Sequence, residues 1–138
     1  MSNSKLLILD THIWIWWVKQ DSQLSRSIEK KLTESTAPLA ISSVSIYEAV
    51  RQIKRGRVSI DLPWQEWLHA ATRESDIAIM NVSAEIAATA GELQLHHGDP
   101  LDRIIIATAI CHDAMLASVD SQFPHFEILD GRLINGKD

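Results

Sequence analysis

The chain has 138 residues, 46% hydrophobic and 22% charged, with one cysteine and a net charge of −5. That length suits a single domain, 1–138, with a core that needs no disulfide, and Cys111 alone allows none within the chain. The acidic balance excludes a protein that coats nucleic acid by charge alone; with no run of about 18 apolar residues and no signal-peptide pattern, the expectation is a cytoplasmic protein without a membrane span.

The elements alternate strand and helix. A first strand is expected at Lys5–Leu9, ending at Asp10, followed by a short helix with Ile13, Trp14 and Trp17 on one face and Trp16 turned elsewhere, towards an interface. A second helix covers Ser25–Ser35, with Ile28 and Leu32 four apart, and Pro38 stops it before a strand at Leu39–Ser42. Ser45 reads as the N-cap of the next helix with Glu48 at its third position, a capping box, and Gly56 as its stop. Pro63 opens a helix reaching Arg73, and Ile77–Met80 is a third strand. Ser83 caps a helix carrying Ile86, Ala90 and Leu93 on one face; Asp99-Pro100 starts another that reaches His112. Met115–Ser118 is a fourth strand and Phe126–Leu129 a short fifth at an edge. This order gives an α/β fold with a mainly parallel central sheet.

In such a sheet the strand carboxyl ends lie side by side. Asp10, Glu48, Asp102 and Asp120 each follow a strand or open a helix there. Each has a structural reading as well. Asp10 can cap a helix, Glu48 can complete the capping box, Asp99 can cap while Asp102 complements the helix dipole, and Asp120 can hold a turn. Carboxylates gathered in one crevice repel each other unless a cation joins them, and hard cations such as Mg²⁺ prefer oxygen ligands. The acids together therefore point to metal-dependent chemistry on phosphate esters, with Thr11, Asp99 and Ser118 as supporting groups. His96 and His97 are adjacent and diverge on a helix, and no HExxH or cysteine pair accompanies them, which argues against zinc. The dinucleotide, P-loop and serine-hydrolase motifs are missing.

The segments Leu7-Ile8-Leu9-Asp10-Thr11-His12, Val44-Ser45-Ile46-Tyr47-Glu48, His97-Gly98-Asp99-Pro100-Leu101-Asp102-Arg103 and Leu116-Ala117-Ser118-Val119-Asp120 come in the order and spacing of a PIN domain. The resemblance spans nearly the whole chain and is closest to short toxins of the VapC type. It implies a three-layer α/β/α sandwich and a Mg²⁺- or Mn²⁺-dependent endoribonuclease that leaves 5′-phosphate and 3′-hydroxyl ends. It puts Asp10, Glu48, Asp102 and Asp120 in the four acidic positions, with Asp120 acting directly or through water. Ser118 stands where many members have Thr. The resemblance also implies a homodimer, a cognate VapB-type antitoxin and a structured RNA such as tRNA as substrate.

Lys54, Arg55, Arg57 and Arg103 are candidate phosphate contacts and equally surface charges. Two other functions are weighed: a non-catalytic interaction module, in which the acids are only caps, and a phosphatase with Asp10 as nucleophile. The second departs from the usual Asp-x-Asp pattern, because Asp10 is followed by Thr11-His12.

Overall fold

Strand residues point alternately to opposite faces of a sheet, and this alternation divides the core in two. In the computed structural model, which describes residues 5–94 and 99–135, five strands form the sheet: β1 (Leu7–Leu9), β2 (Leu39–Ser42), β3 (Ala78–Met80), β4 (Met115–Ala117) and β5 (Leu133–Ile134). Their order is β3-β2-β1-β4-β5, and every neighbouring pair is parallel. Leu7, Leu9, Ile41 and Ala117 face one side; Ile8, Ala40 and Leu116 face the other.

Among the described residues six helices cover the two faces: α1 (Thr11–Lys19), α2 (Arg26–Thr33), α3 (Ser43–Lys54), α4 (Trp64–Thr72), α5 (Ala84–Glu92) and α6 (Pro100–Cys111). On the first face Ile13 and Trp14 of α1, Ile28 and Leu32 of α2, Ala49 of α3 and Trp67 of α4 close over the sheet. On the second, Ile105, Ile106 and Ala109 of α6 pack with Phe123, Phe126 and Leu129. A smaller cluster, Ile86, Ala90 and Ala107, joins α5 to α6. The result is a three-layer α/β/α sandwich. Among the described residues no helix is long and apolar enough to cross a membrane.

Most helix boundaries follow local chemistry. Ser25 and Ser83 cap α2 and α5 by accepting the amide hydrogens of Ile28 and Ile86. Gly56, at φ +74°, closes α3, its amide reaching the Ile53 carbonyl while that of Arg57 reaches Gln52.

Two expectations fail. Ser45 does not cap α3. The cap is Ser42, the last residue of β2, whose Oγ accepts the Val44 amide at 3.2 Å. The helix thus begins three residues early, without an intervening turn, because any of the serines in Ser42-Ser43-Val44-Ser45 has the chemistry of a cap. The stretch Phe126–Leu129 is also not a strand. Glu127–Leu129 is a 3₁₀ turn, which buries Phe126 and Leu129 three residues apart on one side. The fifth strand follows at Leu133–Ile134, after Gly131 at φ +79°.

Trp14 is wholly buried, stacks at a tilt on Trp67 with ring centroids 5.4 Å apart, and donates its indole N–H to the Ala71 carbonyl at 2.9 Å. Ala71 lies in the last turn of α4, where carbonyls lack helical partners. Trp14→Phe should therefore cost about 1–3 kcal/mol from the unpaired carbonyl. Trp14→Ala should cost about 3–5 kcal/mol from the cavity. Urea denaturation of the two variants should show this order; equal, small losses would mean that α1 and α4 are not locked together here.

Candidate active site

Strand β1 lies between β2 and β4: the chain runs outward from β1 through β2 to β3, then crosses back to β4 and continues outward the other way to β5. Such a switch point opens a crevice outside the strand carboxyl ends. Leu9 is in register with Ala117, so Asp10 and Ser118, the next residues, emerge at the same level. The Asp10 amide extends the ladder by donating to the Ala117 carbonyl at 2.9 Å.

Asp10 is only 9% exposed. One carboxyl oxygen, Oδ1, accepts the Thr11 amide hydrogen at 2.8 Å, and the other, Oδ2, accepts the Ser118 hydroxyl at 2.7 Å. Burial pushes the Asp10 carboxyl above its ordinary range; the bonds from Ser118 and Thr11 oppose this, the negative charge of Glu48 adds to it, and His12 partly offsets it. Asp10 also caps α1. Its structural and functional readings are therefore compatible: the cap fixes a carboxylate that burial and Glu48 leave in deficit of positive charge.

Glu48 lies half-buried at the sixth position of α3. The capping-box explanation of this residue fails with the corrected helix start. Ser45, one turn earlier, is fully buried and accepts the Thr11 hydroxyl at 2.8 Å. Thr11 thus steadies Asp10 through its backbone amide and ties α1 to α3 through its side chain. Sequence reasoning missed Ser45 in this role. Its four-residue spacing from the buried Ala49 was the available signal, since both point inward on one helical face.

The other acids occupy the same edge. Asp120 follows β4, half-buried; its amide donates to Ser118 Oγ at 3.0 Å, and its Oδ1 accepts the Gln122 amide at 2.8 Å in a local turn. Ser118 therefore bonds to both Asp10 and Asp120. Helix α6 feeds into β4, so its N-terminus lies back at the carboxyl edge. Asp99 caps it through the Leu101 amide at 2.9 Å, and Asp102 stands half-buried in its first turn.

The basic candidates divide. Lys54, Arg55 and Arg57 are exposed around the end of α3. Arg103 donates from Nε to the Ala90 carbonyl at 3.1 Å and from one terminal nitrogen to Leu93 at 2.7 Å. Its guanidinium caps the end of α5 in this arrangement. His96 and His97 lie outside the described residues.

Among the described residues, no group of three His, Cys, Asp or Glu side chains is placed to hold a metal ion. The donor chemistry nonetheless suits Mg²⁺ or Mn²⁺. Asp10 and Glu48 offer hard oxygens at a charge-deficient spot, and Mg²⁺ is commonly bound by one or two carboxylates while it keeps several waters.

Comparison with known proteins agrees with this architecture. A family model described as PIN domain matches residues 7–129. Ribonuclease VapC22 of Mycobacterium tuberculosis is 30% identical over 115 residues, which is 83% of this chain and 86% of that protein. The fold resembles one in VapBC2 from Rickettsia felis bound to a promoter DNA fragment, with a TM-score of 0.67, 23% identity, and coverage of 94% of this chain and 98% of that one. A toxin–antitoxin complex from Klebsiella pneumoniae gives 0.65 at 24% identity, covering 96% and 98%.

The raised Asp10 pKa gives a stability prediction. The folded state holds this proton more tightly than the unfolded chain does, so the associated stability is present at low pH and lost as pH rises through the folded value. In EDTA at neutral pH, Asp10→Asn should melt above the wild type, and the gap should narrow as pH falls and close below the ordinary aspartate value of about 3.9, where Asp10 is protonated both folded and unfolded. Thermal denaturation across pH checks this; a wild type that melts higher throughout would mean that its charged carboxylate is fully compensated by its hydrogen bonds.

Proposed function

The chain belongs to the PIN-domain family, and from that premise we propose that it is a metal-dependent endoribonuclease of the VapC type, the toxin of a toxin–antitoxin pair. The observation that carries this reading is the buried Asp10, held by Ser118 and Thr11 and set against Glu48 at the switch point of the sheet. A carboxylate so placed is poorly explained by capping alone, since a cap needs no burial and no acidic neighbour.

In this mechanism Asp10 and Glu48 would hold the cation, and Asp102 and Asp120 would complete the acidic set directly or through water. When bound there, Mg²⁺ or Mn²⁺ would supply a lowered pKa for an attacking water and charge to offset that developing on the phosphate. Ser118 keeps the Asp10 carboxylate aimed into the crevice while its Oγ holds the Asp120 backbone. Thr11 and Ser45 lock the first turn of α1 to α3, which sets the spacing of Asp10 and Glu48. Water attacks phosphorus, the bond to the 3′ oxygen breaks, and the products carry a 5′-phosphate and a 3′-hydroxyl.

The substrate proposed is a structured RNA such as tRNA. The proposed partners are a VapB-type antitoxin and a second copy of the chain, in the cytoplasm and within a single domain. The antitoxin would mask the acidic crevice by presenting a basic side chain to it. The relatives solved as toxin–antitoxin complexes support that assignment by fold. In the non-catalytic alternative the acids are only caps and the tryptophans a binding face; Asp10 and Asp99 do cap helices, but Glu48, at the sixth position of α3, lies outside its cap.

Purified protein should cut a mixed RNA pool into discrete 5′-phosphorylated products with Mg²⁺ or Mn²⁺ and not in EDTA. Asp10→Asn and Glu48→Gln should each lower the rate by orders of magnitude. Variants that cut as fast as the wild type would rule out this crevice. Millimolar Mn²⁺ should also raise the melting temperature of the wild type and not of Asp10→Asn, because a ligand stabilises only the state that binds it. An equal rise in both would place the ion elsewhere.

A further inference from the structure

A groove runs between α1 and the end of α3, beginning two residues along the chain from Asp10. On α1 it is lined by His12, Trp16 and Lys19, spaced four and three apart on one helical stripe that starts two residues after Asp10. On the opposite wall are Gln52, one turn beyond Glu48 on α3, and Arg57, just past the Gly56 stop. The cavity measures about 600 Å³. From His12 to Lys19 the stripe extends about 10 Å at the helical rise, enough for more than one nucleotide.

The lining is chemically specific. Trp16 is half-buried, with an indole that meets the His12 ring at 5.8 Å and 47°. Arg57 is exposed. The Lys19 ammonium donates to the Ser59 carbonyl, which uses one of its three hydrogens. The one acid on the wall, Asp21, already accepts the Gln23 amide at 2.8 Å. An aromatic platform beside two cations is the arrangement that holds single-stranded nucleic acid: bases stack on the ring and phosphates meet the charges.

We propose that this groove is a subsite for single-stranded RNA next to the cleavage point, with Trp16 stacking on a base and Lys19 and Arg57 holding flanking phosphates. The inference rests on the ribonuclease reading and adds to it the path of the substrate strand. It also gives a net-acidic protein a local means of gripping RNA, one separated from the metal-binding carboxylates by a single helical stripe.

The test is the affinity of a fluorescent single-stranded RNA oligomer, followed by anisotropy in EDTA so that binding is read without cleavage. Trp16→Ala should bind about tenfold more weakly, the loss of one stacked base, and Trp16→Phe should fall between it and the wild type. Arg57→Ala should reduce the slope of log affinity against log salt by about 0.7, the value of one phosphate contact on a single strand. Lys5→Ala removes the same charge at the opposite edge of the sheet, where Lys5 pairs with Asp113 at 2.7 Å, and should change neither quantity. Wild-type affinity in both Trp16→Ala and Arg57→Ala overturns the subsite and leaves the groove to a protein segment. So does a loss in Lys5→Ala equal to that in Arg57→Ala. Metal-dependent cleavage by the wild type is measured in parallel. Cleavage without these binding losses sinks the subsite alone, binding through Trp16 without cleavage sinks the nuclease alone, and neither binding nor cleavage sinks both.

Discussion

Asp10 is buried where β1 gives way to α1, and a carboxylate in such a place costs free energy unless its oxygens are occupied. Both are: the Thr11 amide and the Ser118 hydroxyl each supply a hydrogen. Those two bonds need β1 and β4 to end level, which their pairing of Leu9 with Ala117 ensures. They also need α1 to start at once after the strand, which the cap provides. Slipping the β1–β4 register by one residue would move Ser118 away and turn the apolar residues of the strand to the wrong faces. Sheet register, helix start and site geometry are thus one constraint.

Three serines illustrate how position decides what a small hydroxyl does. Ser42 caps a helix at the end of a strand, Ser45 is an internal pin between α1 and α3, and Ser118 bonds to two acidic residues at once. The cap satisfies backbone hydrogens and could sit in any protein. All three are fully buried, but only Ser45 and Ser118 spend their bonds next to carboxylates. Burial and the charge of Glu48 both oppose ionisation of the Asp10 carboxyl, the kind of cost to stability that functional sites carry.

Much of this was legible in the residues. Strand and helix alternate strongly, so the order of elements, the capping serines at 25 and 83, the glycine stop at 56 and the acids at strand ends could all be read locally. The misread elements have local degeneracy in common. Three serines in four residues offer several caps, and only packing selects Ser42, because that start turns Ser45 and Ala49 inward together. Phe126 and Leu129 suit a strand or a short turn by composition; burying both on one side favours the turn. The role of Arg103 was hidden for a related reason. Its partners are backbone carbonyls ten and thirteen residues away at the end of α5, and carbonyls leave no trace in the residue type. The groove along α1 was equally invisible, because it depends on how far α3 runs past Glu48.

The absence of any linker between β2 and α3 bears on how this chain can evolve. Ser42 belongs to both elements, so the helical phase of α3 is indexed to the sheet like teeth on a gear. Inserting or deleting one residue there would rotate every later position on the helix by about 100°. That would carry Glu48, Ser45 and Ala49 out of place in a single step. From residue 40 to 48 the spacing is therefore frozen, as are the residue types at Ser42, Ser45 and Glu48 that depend on it. Change in length is left to connections such as the one between α3 and α4, where no strand dictates the phase.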